Sequence, residues 1–555
     1  MAHSQRFDYV DTDPSRASSA GKQTEATGRS LVRPMCLAVV LASMLVASNG
    51  CTSLREYIGN GFRVGHDYQE PPAAVAATWI DVNDKRISTG CDDHSQWWKV
   101  FNDEGLNSLI CTAFRQNLTL REAGFRILQA RAQLGITRGE FFPQNQNLAG
   151  SYSRIGRSSE TALAKAGGGV GNIGPRFFDQ WDYGFNLDWE LDFWGRFRRA
   201  IESQSDLLDA SVADFDAALI TLLSDVATAY TQMRTFEQRI AYAKQNVKIQ
   251  QDTLDIVQAR FKASTTSELD VDQASSTVNA TQAAVSELEI GLRQAQNRLC
   301  TLLGIPPEDL MARLGHAPIP TAPADVVLGI PADLLRRRPD VRAAERRVAA
   351  QSEQIGIAVS DLYPHISISG TLGGSAEKFA DLFTPGAFNS QVSPNFRWDL
   401  LNYCRINNNI KLQDARFLEL VAFYQNQVLR ANQEVEDGVV VFLRSQERTR
   451  FQQKSVNDAE AAVNVALLQY KAGTTNFTTV TQVQQIQVIQ QDTLAVAQGE
   501  IVAGLIQVYR ALGGGWQIRL QGCQDCLPPV GGALQGPQAV EELFPAPSVE
   551  GQEQL

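Results

Sequence analysis

From Trp181 to Gly195 the chain reads WDYGFNLDWELDFWG, and Trp181, Tyr183, Phe185, Leu187, Trp189 and Leu191 fall on every second residue. Asp182, Gly184, Asn186, Asp188, Glu190 and Asp192 fill the alternate positions. This period predicts a strand over 181–191 with one aromatic face and one acidic face. Fainter alternation predicts strands over 146–154, 365–372 (Ile366, Ile368, Leu372) and 395–400 (Phe396, Trp398, Leu400). Downstream the period changes. Phe215, Leu219, Leu222, Leu223, Val226 and Tyr230 recur at three- and four-residue spacing, as on the buried stripe of a helix packed side by side with others. Proline is absent from Arg176 to Ile305 and from Asn395 to Leu527, so nothing interrupts a helix there. The expected helices run 195–261, 267–303, 405–470 and 476–512. At about 1.5 Å per residue the first would be about 100 Å long, beyond any ordinary globular domain.

The pattern is written twice. GITRGEFFP from Gly135 returns as GIAVSDLYP from Gly356, a numbering offset of 221. WELD at Trp189 returns as WDLL at Trp398, FKASTTSELDVDQ at Phe261 as YKAGTTNFTTVTQ at Tyr470, and Leu303-Gly304 as Leu512-Gly513, each at an offset of 209. The two copies therefore stay in register through their helices, and the first holds 12 more residues between its strands. That excess lies around Arg157 to Phe178 and includes Gly169, Gly171 and Gly174 in a GxGxxG arrangement. Dinucleotide binding needs a strand before such a loop and a helix opening on it. Here a strand follows, so the segment reads as a strand-to-strand loop. The domain plan is a signal segment over 1–50, an N-terminal segment over 51–100, a first repeat over 101–305, a linker over 306–338, a second repeat over 339–516 and a disordered tail over 517–555.

A formal net charge of -11 and a pI near 5.2 argue against a nucleic-acid binder, which needs a positive face to displace counterions from phosphates. No run of about 18 apolar residues is present, so a mature transmembrane helix is not expected. Arg29 and Arg33 precede the apolar run Cys36 to Ala47, which suits the core of a secretory signal. Ser48-Asn49-Gly50 and then Cys51 follow. This stretch resembles the lipobox of bacterial lipoproteins, which implies cleavage before Cys51 and lipidation of its thiol; ordinary signal cleavage with an unmodified Cys51 is the alternative.

Four strands of this length suit a membrane barrel, yet four cannot close one, since closed barrels start at about eight. Two chains would give eight strands and three would give twelve. The acidic face would then line a lumen and Trp181, Tyr183, Phe185, Trp189, Phe396 and Trp398 would meet lipid. The long helices, unable to enter lipid, would continue the tube in water. A lipid-anchored helical scaffold in the periplasm is the competing reading, although it gives the alternating aromatic strands no use.

The residues that carry a family likeness are the lipobox-like stretch before Cys51, GHDYQEPP (Gly65 to Pro72), ARAQLGITRGEFFPQ (Ala130 to Gln144), WELDFWGRFRRAIE (Trp189 to Glu202) and LLRRRPDVRAAERR (Leu334 to Arg347). With the duplicated strand-helix order, the chain resembles TolC-type outer membrane factors, specifically the lipoprotein branch serving resistance-nodulation-division efflux pumps. The likeness covers Cys51 to about Trp516. It implies a mixed, mainly α fold and a homotrimer. A 12-stranded barrel in the outer membrane would continue as a periplasmic tunnel of α-helices. The tunnel tip would dock on a periplasmic adaptor bound to an inner-membrane pump, and the protein would be a passive exit duct without enzymatic chemistry. The same architecture also serves type I protein secretion, in which case the cargo would be a protein.

The resemblance places adaptor docking at the two helical turns. The first copy has Arg260, Phe261, Ala263 and Ser264, with Ser264 where the family has glycine; the second has Gln469, Tyr470, Ala472 and Gly473, with Gln469 where the family has arginine. It also places a closed aperture around Asp270 and around Thr475, Thr479 and Gln482, which stand where TolC has a linking arginine and ring aspartates. A carboxylate ring is thus replaced by neutral side chains, and a constriction built on Phe477 and Val480 is one expectation. Arg336, Arg337, Arg338, Arg342, Arg346 and Arg347 are expected to pair with carboxylates at the tunnel's waist, with Asp340 as a helix N-cap.

No other chemistry is announced. His3, His66, His94, His316 and His365 form no ligand cluster, so neither metal nor cofactor is expected. Cys523 and Cys526 form CxxC outside any thioredoxin-like setting, and a local disulfide there, or one between Cys91 and Cys111, is left open.

Overall fold

The computed structural model describes residues 54–88, 90, 94–158, 160, 175–331 and 337–523. The signal segment, Cys51, Cys91, Arg336, Cys526 and the GxGxxG glycines lie outside the described residues. Leu54–Gly59 forms a short helix, α1, in a first unit that ends at Gly59. The remaining elements belong to the second unit, from Asn60 onward.

After the two-residue strand β1 (Ile87–Ser88) come helices α2 (Glu104–Gln116) and α3 (Leu118–Gly139), each started by a side-chain cap. Asp103 accepts the amide of Leu106, and Asn117 that of Leu120, so both satisfy amides left orphaned at a helix start. Strands β2 (Asn145–Gly156) and β3 (Phe177–Glu190) follow. Next come α4 (Arg196–Lys262) of 67 residues and α5 (Glu268–Leu302) of 35. A linker carries α6 (Met311–Leu314) and β4 (Val326–Val327), which pairs in parallel with β1. It leads to α7 (Pro339–Ser360), β5 (His365–Ala376), β6 (Phe388–Arg397), α8 (Arg405–Lys471) and α9 (Phe477–Ala511). The short α10 (Ile518–Gln521) ends the described chain. α8 and α9 have the same lengths as α4 and α5 and follow them at an offset of 209, while α7 follows α3 at an offset of 221 at both ends. No described helix is long and apolar enough to cross a membrane.

Two expectations need correction. The fourth strand was expected over 395–400 but runs Phe388–Arg397, because the alternation continues backward through Val392 and Pro394 and the chain leaves the sheet at Trp398. The disorder expected from 517 does not hold for 517–523, where Ile518–Gln521 is helical. Ile518 is buried, and Arg519 on α10 donates to both oxygens of the buried Asp216 at 2.8 and 3.2 Å, fastening this segment to α4.

The four long strands form one antiparallel sheet in the order β2-β3-β5-β6, which leaves β2 and β6 as edges. α4 pairs with α5 and α8 with α9 as long hairpins; α4 also touches α9, and α7 lies against both α4 and α8. The largest apolar core gathers around Trp97, Phe101, Leu109, Phe215, Tyr230, Phe442, Leu505 and Tyr509, where the first helices and the middles of the long ones meet. A second cluster near the hairpin turns contains Val257, Val278, Tyr470, Phe477 and Val480.

Candidate functional site

The register divides the sheet residues by face. Trp181 pairs with Tyr152 and Ala376, Phe185 with Leu148 and Leu372, and Ile366 with Phe396. One face therefore carries Leu148, Tyr152, Trp181, Tyr183, Phe185, Leu187, Trp189, Ile366, Ile368, Leu372, Val392 and Phe396. Across the rows Tyr152 lies 4.5 Å from Trp181 by ring centroid, and Phe379 and Phe383 of the β5–β6 loop close on Trp181 and Tyr183 at 5.2 Å each.

The opposite face is polar and bonded to itself. Asn145 donates to Asp188 at 3.1 Å, Asn186 to Asn147 at 2.9 Å, Thr371 to Asn186 at 3.2 Å, Ser375 to Asp182 at 2.7 Å and Asn395 to Ser369 at 2.9 Å. The sequence foretold acids here. Asn, Ser and Thr from the partner strands, which no single segment reveals, make it a surface that water can wet throughout.

Trp398, expected among the lipid-facing strand aromatics, is not on a strand. Its indole donates to the Leu362 carbonyl at 3.0 Å, and Trp189 donates to the Phe141 carbonyl at 3.3 Å. Trp189 near the end of β3 and Trp398 just past β6 thus make the same bond to the turns that follow α3 and α7.

Where sheet gives way to helices, three of the quoted motifs converge. Arg199 on α4 has no solvent exposure. It donates to Glu353 at 2.5 Å and to the carbonyls of Val64 and Gly65 at 2.8 and 3.0 Å, and reaches Asp67 at 3.4 Å. Its aliphatic stem fills the space beside Gly356, where a Cβ would overlap Arg199 Cδ. Burial pushes the Glu353 carboxyl up, while Arg199 counteracts it. None of these residues was singled out from the sequence, although GHDYQEPP, WELDFWGRFRRAIE and GIAVSDLYP lie around all but Glu353. Nearby, Trp194 stacks on Tyr363 at 4.6 Å and donates to the Pro364 carbonyl at 2.8 Å.

The arginine run pairs with carboxylates lower down. Arg338 holds Asp340 at 2.6 Å, Glu434 at 2.8 Å and the Ala511 carbonyl at 2.8 Å; Arg346 reaches Asp206 at 3.3 Å, and Arg347 holds Asp214. Arg342 instead lies over the Trp516 ring. Asp340 is not the N-cap. Arg338 occupies that position and Pro339 follows inside the helix, which puts Asp340 in the first turn with its carboxylate on the Val341 amide. Burial raises the Asp340 carboxyl, but bonds from Arg338 and Gln427 outweigh it and leave the group below its ordinary value.

The hairpin turns are near copies. Ala263 and Ala472 are the C-caps of α4 and α8, followed by Ser264 (φ 59°) and Gly473 (φ 73°) in the left-handed region. Thr265 donates to the Arg260 carbonyl at 2.9 Å and Thr474 to that of Gln469 at 3.0 Å, closing both ends in the same way. Arg260 joins the two turns, lying 4.6 Å over the Tyr470 ring and donating to the Tyr470 carbonyl. Phe261 is exposed beside it.

The residues expected at the aperture make local contacts in this chain. Asp270 completes a capping box with Ser267 at the start of α5 and accepts from Thr266, whose hydroxyl is 3.4 Å from that of Tyr470. Thr479 donates its amide and hydroxyl to Asn476, the N-cap of α9. Thr475 is half-buried and Gln482 exposed. Phe477 and Val480 are packed against Val257 and Tyr470 within the chain, so the constriction expected from them is overturned: burying them in the chain's own core wins over exposing them to a lumen. Above them α4 and α9 meet through side-chain amides rather than apolar groups. Asn246 donates to Gln491 at 2.7 Å and Gln484 to Thr253 at 2.9 Å, a seam that hydrophobic periodicity could not reveal.

A sheet with one apolar and one polar face and two open edges, continued by two helical hairpins that match each other in length, defines a subunit of a membrane channel. Residues 109–305 and 330–514 match the family described as outer membrane efflux protein, and the chain belongs to that family. It is 29% identical over 497 residues to the pyoverdine export outer membrane protein OpmQ of Pseudomonas putida, covering 88% of this chain and 98% of that one. It is 27% identical over 467 residues to nodulation protein T of Rhizobium leguminosarum bv. trifolii, covering 82% and 95%. Among solved structures, the outer-membrane channel OprN superposes with a TM-score of 0.76 at 31% identity over 82% of this chain and 99% of that one. The Campylobacter jejuni CmeC outer membrane channel shares the fold at 19% identity, with a TM-score of 0.75 over 84% and 98%. The protein is an efflux channel of the outer membrane that extends into the periplasm, with the mixed, mainly α fold of these channels.

Proposed function

We propose that three copies close a 12-stranded barrel and that the resulting homotrimer is the exit duct of a tripartite pump for small compounds. The observation that supports this most is the sheet itself, four strands with opposite faces suited to lipid and to water and with both edges unpaired. Trp181, Tyr183, Phe185, Trp189 and Phe396 then face lipid, while Asp182, Asn186 and Asp188 line the lumen. The turns at Arg260–Ser264 and Gln469–Gly473 are the docking points for a periplasmic adaptor, which joins the duct to an inner-membrane resistance-nodulation-division pump that supplies the energy. Thr475, Thr479 and Gln482, near the turn of the second hairpin, make the aperture neutral rather than acidic. Cys51, as a lipidated N-terminus, adds an anchor in the same membrane.

The test has two parts. The molar mass of protein extracted from outer membranes in mild detergent, corrected for bound detergent, is expected to be that of three chains; a monomer would end the barrel reading. A deletion strain is expected to become sensitive to small toxic compounds. Loss of a secreted protein without that sensitivity would assign the duct to protein secretion instead.

A further inference from the structure

The duplication lets one interface inside the chain serve as a template for another that a single chain leaves open. Within the chain, α4 of the first repeat packs against α7 of the second, and Trp194 at the head of α4 stacks on Tyr363 at the end of α7. The repeat offsets convert each partner. The offset of 209 carries Trp194 to Tyr403, and the offset of 221 carries Phe142 to Tyr363. Both counterparts are left bare, Tyr403 at 94% exposure and Phe142 at 63%. The helices behind them behave alike. α8, the counterpart of α4, exposes Leu412, Leu418, Phe423 and Leu429; α3, the counterpart of α7, exposes Leu118, Phe125 and Ile136.

We infer that α8 of one copy packs against α3 of the next, with Tyr403 stacked on Phe142 of that neighbouring copy, and that this seam between chains is apolar where its counterpart within the chain is ionic. This rests on the homotrimer reading and adds its register and chemistry. Most ionic partners of the inner seam convert to apolar or neutral residues, the exception being Arg347, whose counterpart Arg126 pairs with Glu122 of its own helix. Arg346 corresponds to Phe125, Asp214 to Phe423, Ser203 to Leu412 and Arg199 to Asn408. Gly135 supplies an independent sign. It is the counterpart of Gly356, which makes room for Arg199, yet a Cβ on Gly135 would meet nothing within 4 Å among the described residues of its own chain. A glycine inside a helix costs about 1 kcal/mol relative to alanine, and nothing among the described residues accounts for it. Close approach of Asn408 from the neighbouring copy does. The same operation sets edge strand β6 against the neighbour's edge strand β2, which removes both open edges.

The seam is tested by cross-linking the full-length protein in outer membranes. Cys404 is exposed beside Tyr403 and adopts φ 63°, so Cys404→Gly provides a suitable background. In it, the pair Phe142→Cys and Tyr403→Cys, treated with a short bismaleimide, is expected to give species at two and three times the mass of the mature chain, and neither single cysteine should do so. Trp194→Cys with Tyr363→Cys is expected to join only within one chain. Should the cysteines hinder assembly, a photoreactive phenylalanine at 403 is expected to cross-link to 136–143 of another copy. Three-chain mass in detergent with no cross-link by either route would overturn this seam while leaving the trimer intact. A one-chain mass for the unmodified protein would overturn the trimer reading itself.

Discussion

Arg260 and Tyr470 belong to different repeats, yet the guanidinium of the first lies 4.6 Å over the ring of the second and donates to its carbonyl. The second copy has Gln469 where the first has Arg260, so this clamp is made once per chain. A cation over an aromatic face contributes about 0.5–2 kcal/mol according to its desolvation. Arg260→Ala should therefore loosen the two turns from each other with little effect on global folding. Faster amide exchange confined to 258–267 and 468–478, together with weaker adaptor binding, is the expected result. Unchanged exchange in both turns would remove the clamp from the account.

Ser264 holds a left-handed conformation that its counterpart Gly473 adopts without strain. The left-handed region costs a residue with a Cβ about 1 kcal/mol. Ser264→Gly should slow amide exchange of its turn by up to about fivefold, and Gly473→Ala should speed exchange of the other by a similar factor. Equal exchange in the variants and the parent would show that the turns tolerate the strain by relaxing.

The junction should be the most sensitive point of the described chain. Arg199 is buried with Glu353, and removing one partner of a buried pair costs about 3–5 kcal/mol. Arg199→Ala is expected to reduce the yield of heat-resistant oligomer in outer membranes sharply. Gly356→Ala should do the same through its clash with the Arg199 side chain. Recovery of normal oligomer from both variants would contradict the packing described.

Asp216 carries a pH prediction. Burial raises its carboxyl above the ordinary value, although Arg519 bonds to both oxygens. A carboxyl raised by folding favours the folded state most below its unfolded value, and that contribution is lost as pH rises through the folded value. Asp216→Asn removes this dependence. The melting temperature of the variant minus that of the parent should therefore increase from about pH 4 to about pH 7. A constant difference over that range would show that Arg519 cancels the effect of burial.

The sequence by itself determined the elements and their duplication. Uninterrupted helical periodicity without proline specified α4, α5, α8 and α9, because local propensity and an apolar stripe suffice for a long helix. The offsets of 209 and 221 specified that each element occurs twice. Alternation in β3 was equally legible, since a strand with opposite faces writes its period directly into the chain. The tertiary structure decided the pairings. It showed that Trp398 belongs to a helix end rather than to the sheet, that Phe477 and Val480 are held in the chain's own core, and that Arg199 meets the distant Glu353. Such contacts depend on which faces come together in space, and periodicity along one segment carries no information about the segment opposite.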